Sequence, residues 1–161
     1  RGIYMNILQL SKHMNDSGVN SHIIELSRLL TMYGHRVIVV SSGGTHVKEL
    51  EKHNIKHYTI PLDTKNPLIQ IKNIFLIIKI IKKEKIEIAH THWRSTGILI
   101  KLASIFTGIN FVWTNHLNNI PSNFLYRLFT FYGKYAITVS SDMVPLLNQK
   151  LNIPMNKIRI V

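Results

Sequence analysis

The sequence predicts an α/β fold, a Rossmann-like doubly wound parallel sheet of about seven strands with helices on both faces. Three observations carry this prediction. Short apolar runs alternate with segments of helical periodicity along the whole chain. Val37 to Val40 is a continuous β-branched run, which suits a strand buried on both faces. No long linker, repeat or low-complexity tract interrupts the alternation, so the crossovers fit one sheet with right-handed connections.

The elements follow in order. Asn6 to Leu10 reads as a short apolar strand. Asn20 to Tyr33 carries Ile23, Ile24, Leu26, Leu29 and Leu30 at helical spacing, and Gly34 is a C-terminal stop. After the Val37 strand, Val47 to His53 reads as a short helix and Lys56 to Ile60 as a strand ended by Pro61. Pro67 to Lys85 is a long helix with proline in its first turn. Glu87 to Thr91, Phe111 to Thr114 and Ala136 to Ser140 read as strands. Thr96 to Phe106, the aromatic-rich Asn123 to Gly133 and Asp142 to Leu151 read as the helices between and after them. Lys157 to Val161 starts a final strand that stops without cap, turn or polar tail. Natural termini are usually polar and frayed. The expectation is therefore a single domain over 1–161, the front part of something longer.

Composition bounds the function. The 161 residues suffice for one well-buried core, and 45% hydrophobic against 17% charged residues marks a globular chain. The absence of cysteine excludes a disulfide framework, a thiolate nucleophile and thiolate metal ligands, and is compatible with a reducing cytoplasm. Twenty basic residues against 8 acidic give a formal charge of +12. Such an excess favours nucleotide phosphates, nucleic acid or an anionic lipid surface, although a Lys-, Ile- and Asn-rich composition accounts for it equally well. No run approaches the ~18 apolar residues of a transmembrane helix.

Four polar segments are candidate site elements. The loop from Ser11 to His22 lies where the first strand hands over to the first helix, the place where open α/β sheets bind ligands and a helix N-terminus offers free N–H groups. There Gly18 is a candidate for positive φ or for close approach of a ligand, and Asn20 for the helix cap; an ordinary strand-to-helix turn explains both as well. His90-Thr91-His92 ends the fourth strand, with both imidazoles on one face. A metal would need a third ligand, and none is near in sequence, so one histidine is expected in the core and the other at the cleft edge. Thr114-Asn115-His116, followed by Leu117-Asn118-Asn119, holds the equivalent place after the fifth strand. Ser140-Ser141-Asp142 ends the sixth, where Ser141 or Asp142 suits a helix cap and Ser140 has a secondary cleft role. Lys72, Lys79, Lys82 and Lys83 form a basic stripe, and the aromatic helix mixes Phe124, Tyr126 and Phe129 with Arg127. Both patterns fit either an anionic membrane surface or a solvated face of a core helix.

Together the landmarks resemble family 4 glycosyltransferases. The match runs through Asn6-Ile7-Leu8, Ser17-Gly18-Val19-Asn20-Ser21-His22, Glu25-Leu26-Ser27-Arg28-Leu29-Leu30 and Gly34-His35-Arg36-Val37. It continues through Ile88-Ala89-His90-Thr91-His92, Trp113-Thr114-Asn115-His116, Ile137-Thr138-Val139-Ser140, Asn152-Ile153-Pro154 and Lys157-Ile158-Arg159-Ile160-Val161. Each motif is weak alone, and their order and spacing make the set specific.

The resemblance implies a GT-B architecture, with this chain as the N-terminal, acceptor-binding half and the nucleotide-sugar domain beyond Val161. It implies a transferase that moves a sugar from a nucleotide-sugar donor to a polysaccharide, glycolipid or other glycan acceptor, mostly with retention and without a metal. By the same resemblance Ser17, Gly18 and Val19 face the donor diphosphate, and His116 is the catalytic candidate that orients a donor hydroxyl and stabilises charge. Members often carry two glycines where this chain has Ser17-Gly18, which leaves one glycine for that role. His22, His92, Asn115, Asn118 and Ser140 are the expected acceptor and cleft residues. No cofactor is expected for this half alone, and alone it should not catalyse transfer. The expected setting is bacterial cell-envelope assembly in the cytoplasm, with peripheral contact at the inner face of the plasma membrane left open. The competing class is a non-enzymatic basic domain binding anionic lipid or nucleic acid, and for nucleic acid no groove-reading helix is evident. A dehydrogenase-like nucleotide domain is disfavoured because the three-glycine spacing is missing.

Overall fold

The computed structural model describes residues 4–117, 119–121 and 123–161. Its elements run β1 (Asn6–Leu10), α1 (Gly18–Met32), β2 (Arg36–Ser41), α2 (Val47–Lys52), β3 (Lys56–Thr59), α3 (Pro67–Lys83), β4 (Ile88–Thr91), α4 (Arg94–Thr107), β5 (Asn110–Asn115), α5 (Phe124–Leu128), β6 (Tyr135–Thr138), α6 (Met143–Leu151) and β7 (Ile158–Ile160), with a 3₁₀ turn at Met155–Lys157 before the last strand. The seven strands form one sheet in the order β3-β2-β1-β4-β5-β6-β7. Every neighbouring pair is parallel. The order reverses between β1 and β4, and a crevice opens beyond the carboxyl ends of strands at such a switch point.

Side-chain alternation along the strands divides the core. Leu8, Leu10, Ile38, Val40 and Ala89 pack against Ile77, Ile80 and Ile81 of α3 and Leu99, Ile100 and Ala103 of α4. On the opposite face Ile7, Val37 and Val39 meet Ile23 and Ile24 of α1 and Leu50 of α2. Trp113, Ala136 and Ile158 pack with Leu147 and Leu151 of α6. Beyond α1, the face carrying Ile88, His90, Val112, Thr114 and Ile137 borders a cavity of about 240 Å³ with Leu26 and Leu30. No helix of the described residues is long and apolar enough to cross a membrane.

Four expectations are corrected. Helix α1 starts at Gly18, and its cap is Ser17, whose hydroxyl accepts from the Asn20 N–H. Asn20 is therefore not the cap; its amide is fully buried in the loop. Gly18 does not supply a positive φ, which belongs to Gly34, Gly43, Gly44, Gly108 and Gly133 among the described glycines. The aromatic helix stops at Leu128 rather than Gly133. Here tertiary bonding overrides local pattern: Lys134 N–H donates to Phe111 O at 2.7 Å, and a Cβ at Gly133 (φ +66°) would lie 2.1 Å from that oxygen. At α6 neither Ser141 nor Asp142 caps through its side chain; Ser140 Oγ accepts from the Asp142 N–H instead.

Candidate active site

The β1–α1 loop is built around Asn20. Its Oδ1 accepts from Ser11 Oγ at 3.0 Å, and its Nδ2 donates to Asn15 O at 2.6 Å and lies 3.3 Å from His13 Nδ1. Trp93 Nε1–H donates to Ser11 Oγ across the switch point. This buried network fixes the start of α1, where Asn20 and Ser21 make the first bonds back to Ser17 O. The N–H groups of Gly18 and Val19 precede those bonds and lie at the positive end of the helix dipole. Gly18 is exposed, and a Cβ there would meet nothing within 4 Å.

Beside this helix end three imidazoles meet. His22 comes from the second turn of α1, His92 from the residue after β4 and His116 from the residue after β5. Their ring centroids are 5.2 Å (His22 to His116), 5.7 Å (His22 to His92) and 5.5 Å (His92 to His116) apart. His92 Nδ1 and His116 Nε2 are 3.2 Å apart, and His92 Nε2 is 2.7 Å from Gln9 Oε1. A side-chain carbonyl only accepts, so His92 Nε2 carries the hydrogen and its Nδ1 is a bare lone pair. That lone pair takes the hydrogen on His116 Nε2, which leaves His116 Nδ1 as its accepting nitrogen.

Burial keeps the cluster uncharged. It pushes His90 down to about 3 and His116 to about 4 from 6.5, with repulsion from neighbouring histidines adding to it. His92 falls well below its ordinary value for the same reasons, and burial also lowers His22. His90 stacks beside His92 at 4.1 Å and pairs through Nε2 with Thr114 Oγ1 at 2.6 Å. The expected division between a core histidine and one at the cleft edge is thus corrected, because both are buried. Neither strand end could satisfy these rings alone; Gln9, Thr114 and His116 from adjacent strands do so.

Val19, Trp93, Arg94, Asn115, His116 and Tyr126 line a small cavity of about 50 Å³ next to the cluster. The Arg94 guanidinium lies 4.1 Å over the Tyr126 ring. Asn115 turns its amide onto the Leu117 backbone, so it shapes the loop rather than offering free polar atoms. Ser140 is committed to the turn into α6. Asn118 lies outside the described residues. Gln9, Asn20, Trp93 and Arg94 were not singled out as site residues from sequence. A lone glutamine inside the apolar run Ile7-Leu8-Gln9-Leu10 was the available signal for the first, since a buried amide needs a partner.

The sequence model of Glycosyltransferase Family 4 matches residues 17–161. The chain belongs to this family. A glycosyltransferase from Rickettsia africae ESF-5 superposes with a TM-score of 0.84 at 34% identity, over 98% of this chain and 42% of that one. Anabaena Alr3699/HepE, solved in complex with UDP-glucose, gives a TM-score of 0.75 at 17% identity over 98% of this chain and 43% of that one. MurG of Acinetobacter baumannii gives 0.72 at 14% identity, over 98% and 45%. The latter two likenesses show the fold alone. A comparison with curated proteins returned no match. The family 4 chain described here spans less than half the length of these solved structures.

Proposed function

We propose that this chain is the acceptor-facing N-terminal domain of a glycosyltransferase that moves a sugar, with retention, from a nucleotide sugar to a glycan or glycolipid acceptor. The observation that carries the reading is the placement of neutral His116 beside the open N-terminus of α1 at the sheet's switch point. A helix end with free N–H groups suits a diphosphate. An uncharged imidazole next to it suits a sugar hydroxyl, with His116 Nδ1 accepting the hydroxyl hydrogen. Ser17, Gly18 and Val19 face the donor, and His22 and His92 hold His116 in place. Anabaena HepE, of the same fold, is described with UDP-glucose, which favours a UDP-sugar donor.

The acceptor side is proposed to lie toward α5. Tyr126 lines the cavity beside His116, and Phe124, Leu125, Leu128 and Phe129 around it are all exposed. Apolar side chains with Arg127 among them suit peripheral contact with an anionic membrane, where a lipid-linked acceptor would be presented. On this reading the enzyme works in the cytoplasm at the inner face of a bacterial membrane.

The test is a panel of nucleotide sugars offered to the full-length protein and to residues 1–161 alone. Turnover of one donor by the full-length protein and none by the isolated chain is expected. Robust transfer by the isolated chain would refute the division of labour, and no turnover of any donor with membrane extracts as acceptor would refute the transferase reading.

A further inference from the structure

We infer that His22, His92 and His116 form a binding site for a zinc-like transition-metal ion, with a fourth coordination position open to the cleft. One ligand nitrogen from each ring lies within 4.8 Å of the others, and the three come from α1, the end of β4 and the end of β5. The His92 Nδ1 to His116 Nε2 distance is 3.2 Å. Two ligands of a tetrahedral zinc, with bonds of ~2.0–2.1 Å, stand about 3.3 Å apart, so this pair already has the required separation. His22 sits on the first half of α1 and is only half-buried, so its ring closes the remaining gap by rotation about its side-chain bonds.

The surroundings match what such sites carry. Gln9 Oε1 accepts from His92 Nε2–H at 2.7 Å, the outer hydrogen bond that orients a ligating imidazole and directs its other nitrogen to the ion. Packing of His90 at 4.1 Å on the far side restricts the His92 ring. Binding replaces the hydrogen bond between His116 and His92. The His116 hydrogen moves from Nε2 to Nδ1, so both facing nitrogens present lone pairs and no net proton is released.

The donor set selects the metal. Three imidazoles without a carboxylate or thiolate suit Zn²⁺, Co²⁺, Ni²⁺ or Cu²⁺, whereas Mg²⁺ and Ca²⁺ need oxygen ligands. Three protein ligands with a fourth position left for water set it apart from a closed four-ligand structural site. With His116 coordinated through Nε2, its Nδ1 carries the hydrogen and can no longer accept from a sugar hydroxyl, so zinc opposes transfer. That consequence alone rests on the proposed function.

The test uses full-length protein without a histidine tag, titrated with Co²⁺ and followed by its visible ligand-field absorption, with Zn²⁺ competition. Saturation near one equivalent, displacement by Zn²⁺ and no response to Mg²⁺ are expected. Affinity should fall at least about tenfold in His22→Ala and in His116→Ala, each checked for unchanged thermal unfolding. His22→Gln, which keeps side-chain volume on the helix, serves if the alanine variant unfolds. Absence of saturable Co²⁺ binding overturns the proposal and leaves a hydrogen-bonded imidazole cluster. Binding that survives all three substitutions overturns it equally. Metal binding without inhibition of transfer would keep the site and discard only its consequence for catalysis.

Discussion

His92 and His116 face each other nitrogen to nitrogen at 3.2 Å, and the bond from His92 to Gln9 decides which of them carries the hydrogen. On the proposed function, His92 is a positioning residue and His116 the group that meets substrate. His92→Leu should lower kcat by about tenfold to a hundredfold while leaving the donor KM nearly unchanged. His92→Asn, whose Oδ1 stands close to where Nδ1 was, should restore much of that loss. A merely structural role would move stability in both variants and leave the kcat-to-KM split unaffected.

The buried histidines make stability strongly dependent on pH. In the unfolded chain they titrate near 6.5, whereas folding holds His90 to about 3 and His116 to about 4. His92 moves in the same direction further inside the core. Their folded values are depressed, so the stability they confer is fully present above pH 6.5. As pH falls from 6.5 toward 4, the unfolded state takes up protons that the folded state refuses. The loss approaches ~1.4 kcal/mol per pH unit for each fully buried histidine and is smaller for the partly solvated His116. Thermal unfolding followed from about pH 7.5 to 5 should show a steep fall in Tm, and His90→Gln should flatten it. A flat profile over that range would show that the imidazoles are hydrated.

An ionic centre lies at the opposite end of the sheet. Glu84, with only 4% of its side chain exposed, accepts from Arg36, Lys56 and Tyr58. Hydrogen bonds from Lys56 and Tyr58, followed by Arg36, hold its carboxyl at about 2 instead of 4.5. Its contribution is fully present above pH 4.5 and is lost as pH falls through about 2. Both cations are about half exposed, so solvent screening reduces the gain. Glu84→Gln should destabilise the chain by about 1–3 kcal/mol in chemical denaturation. Transfer kinetics should not change, because this cluster joins the start of β2, the start of β3 and the end of α3 away from the crevice.

Two glycines should respond oppositely. Gly133→Ala puts a methyl 2.1 Å from Phe111 O at φ +66°, and should cost about 2–4 kcal/mol or prevent folding. Gly18→Ala meets no atom within 4 Å and should hold or raise stability by up to about 1 kcal/mol. In the full-length enzyme the added methyl should raise the nucleotide-sugar KM several-fold, since it covers the helix end proposed to face the diphosphate. An unchanged KM would move the diphosphate away from Gly18.

Much of this architecture was legible in the chain. The β-branched Val37–Val40 run, Pro67 at a helix start and Gly34 at a helix end each report a local rule that the fold obeys. The aromatic segment after Asn123 did not, because its outcome depends on a bond between Lys134 and Phe111 that no local pattern encodes. The site divides in the same way. His92 and His116 could be placed on one sheet edge from the strand ends alone. Their direct contact depends on β4 and β5 being neighbours, and the arrival of His22 depends on α1 crossing that edge. Asn115, and Ser140 in a secondary role, read as cleft residues in sequence, yet both spend their side chains on local turns.

Whether His116 acts on the sugar being transferred is decided by its substitution in the full-length protein. With a donor identified from the nucleotide-sugar panel, His116→Ala should lower kcat by about 10²–10³-fold, with folding intact and donor KM little changed. A His116→Ala enzyme that transfers sugar at the wild-type rate would show that this imidazole does not act on the sugar.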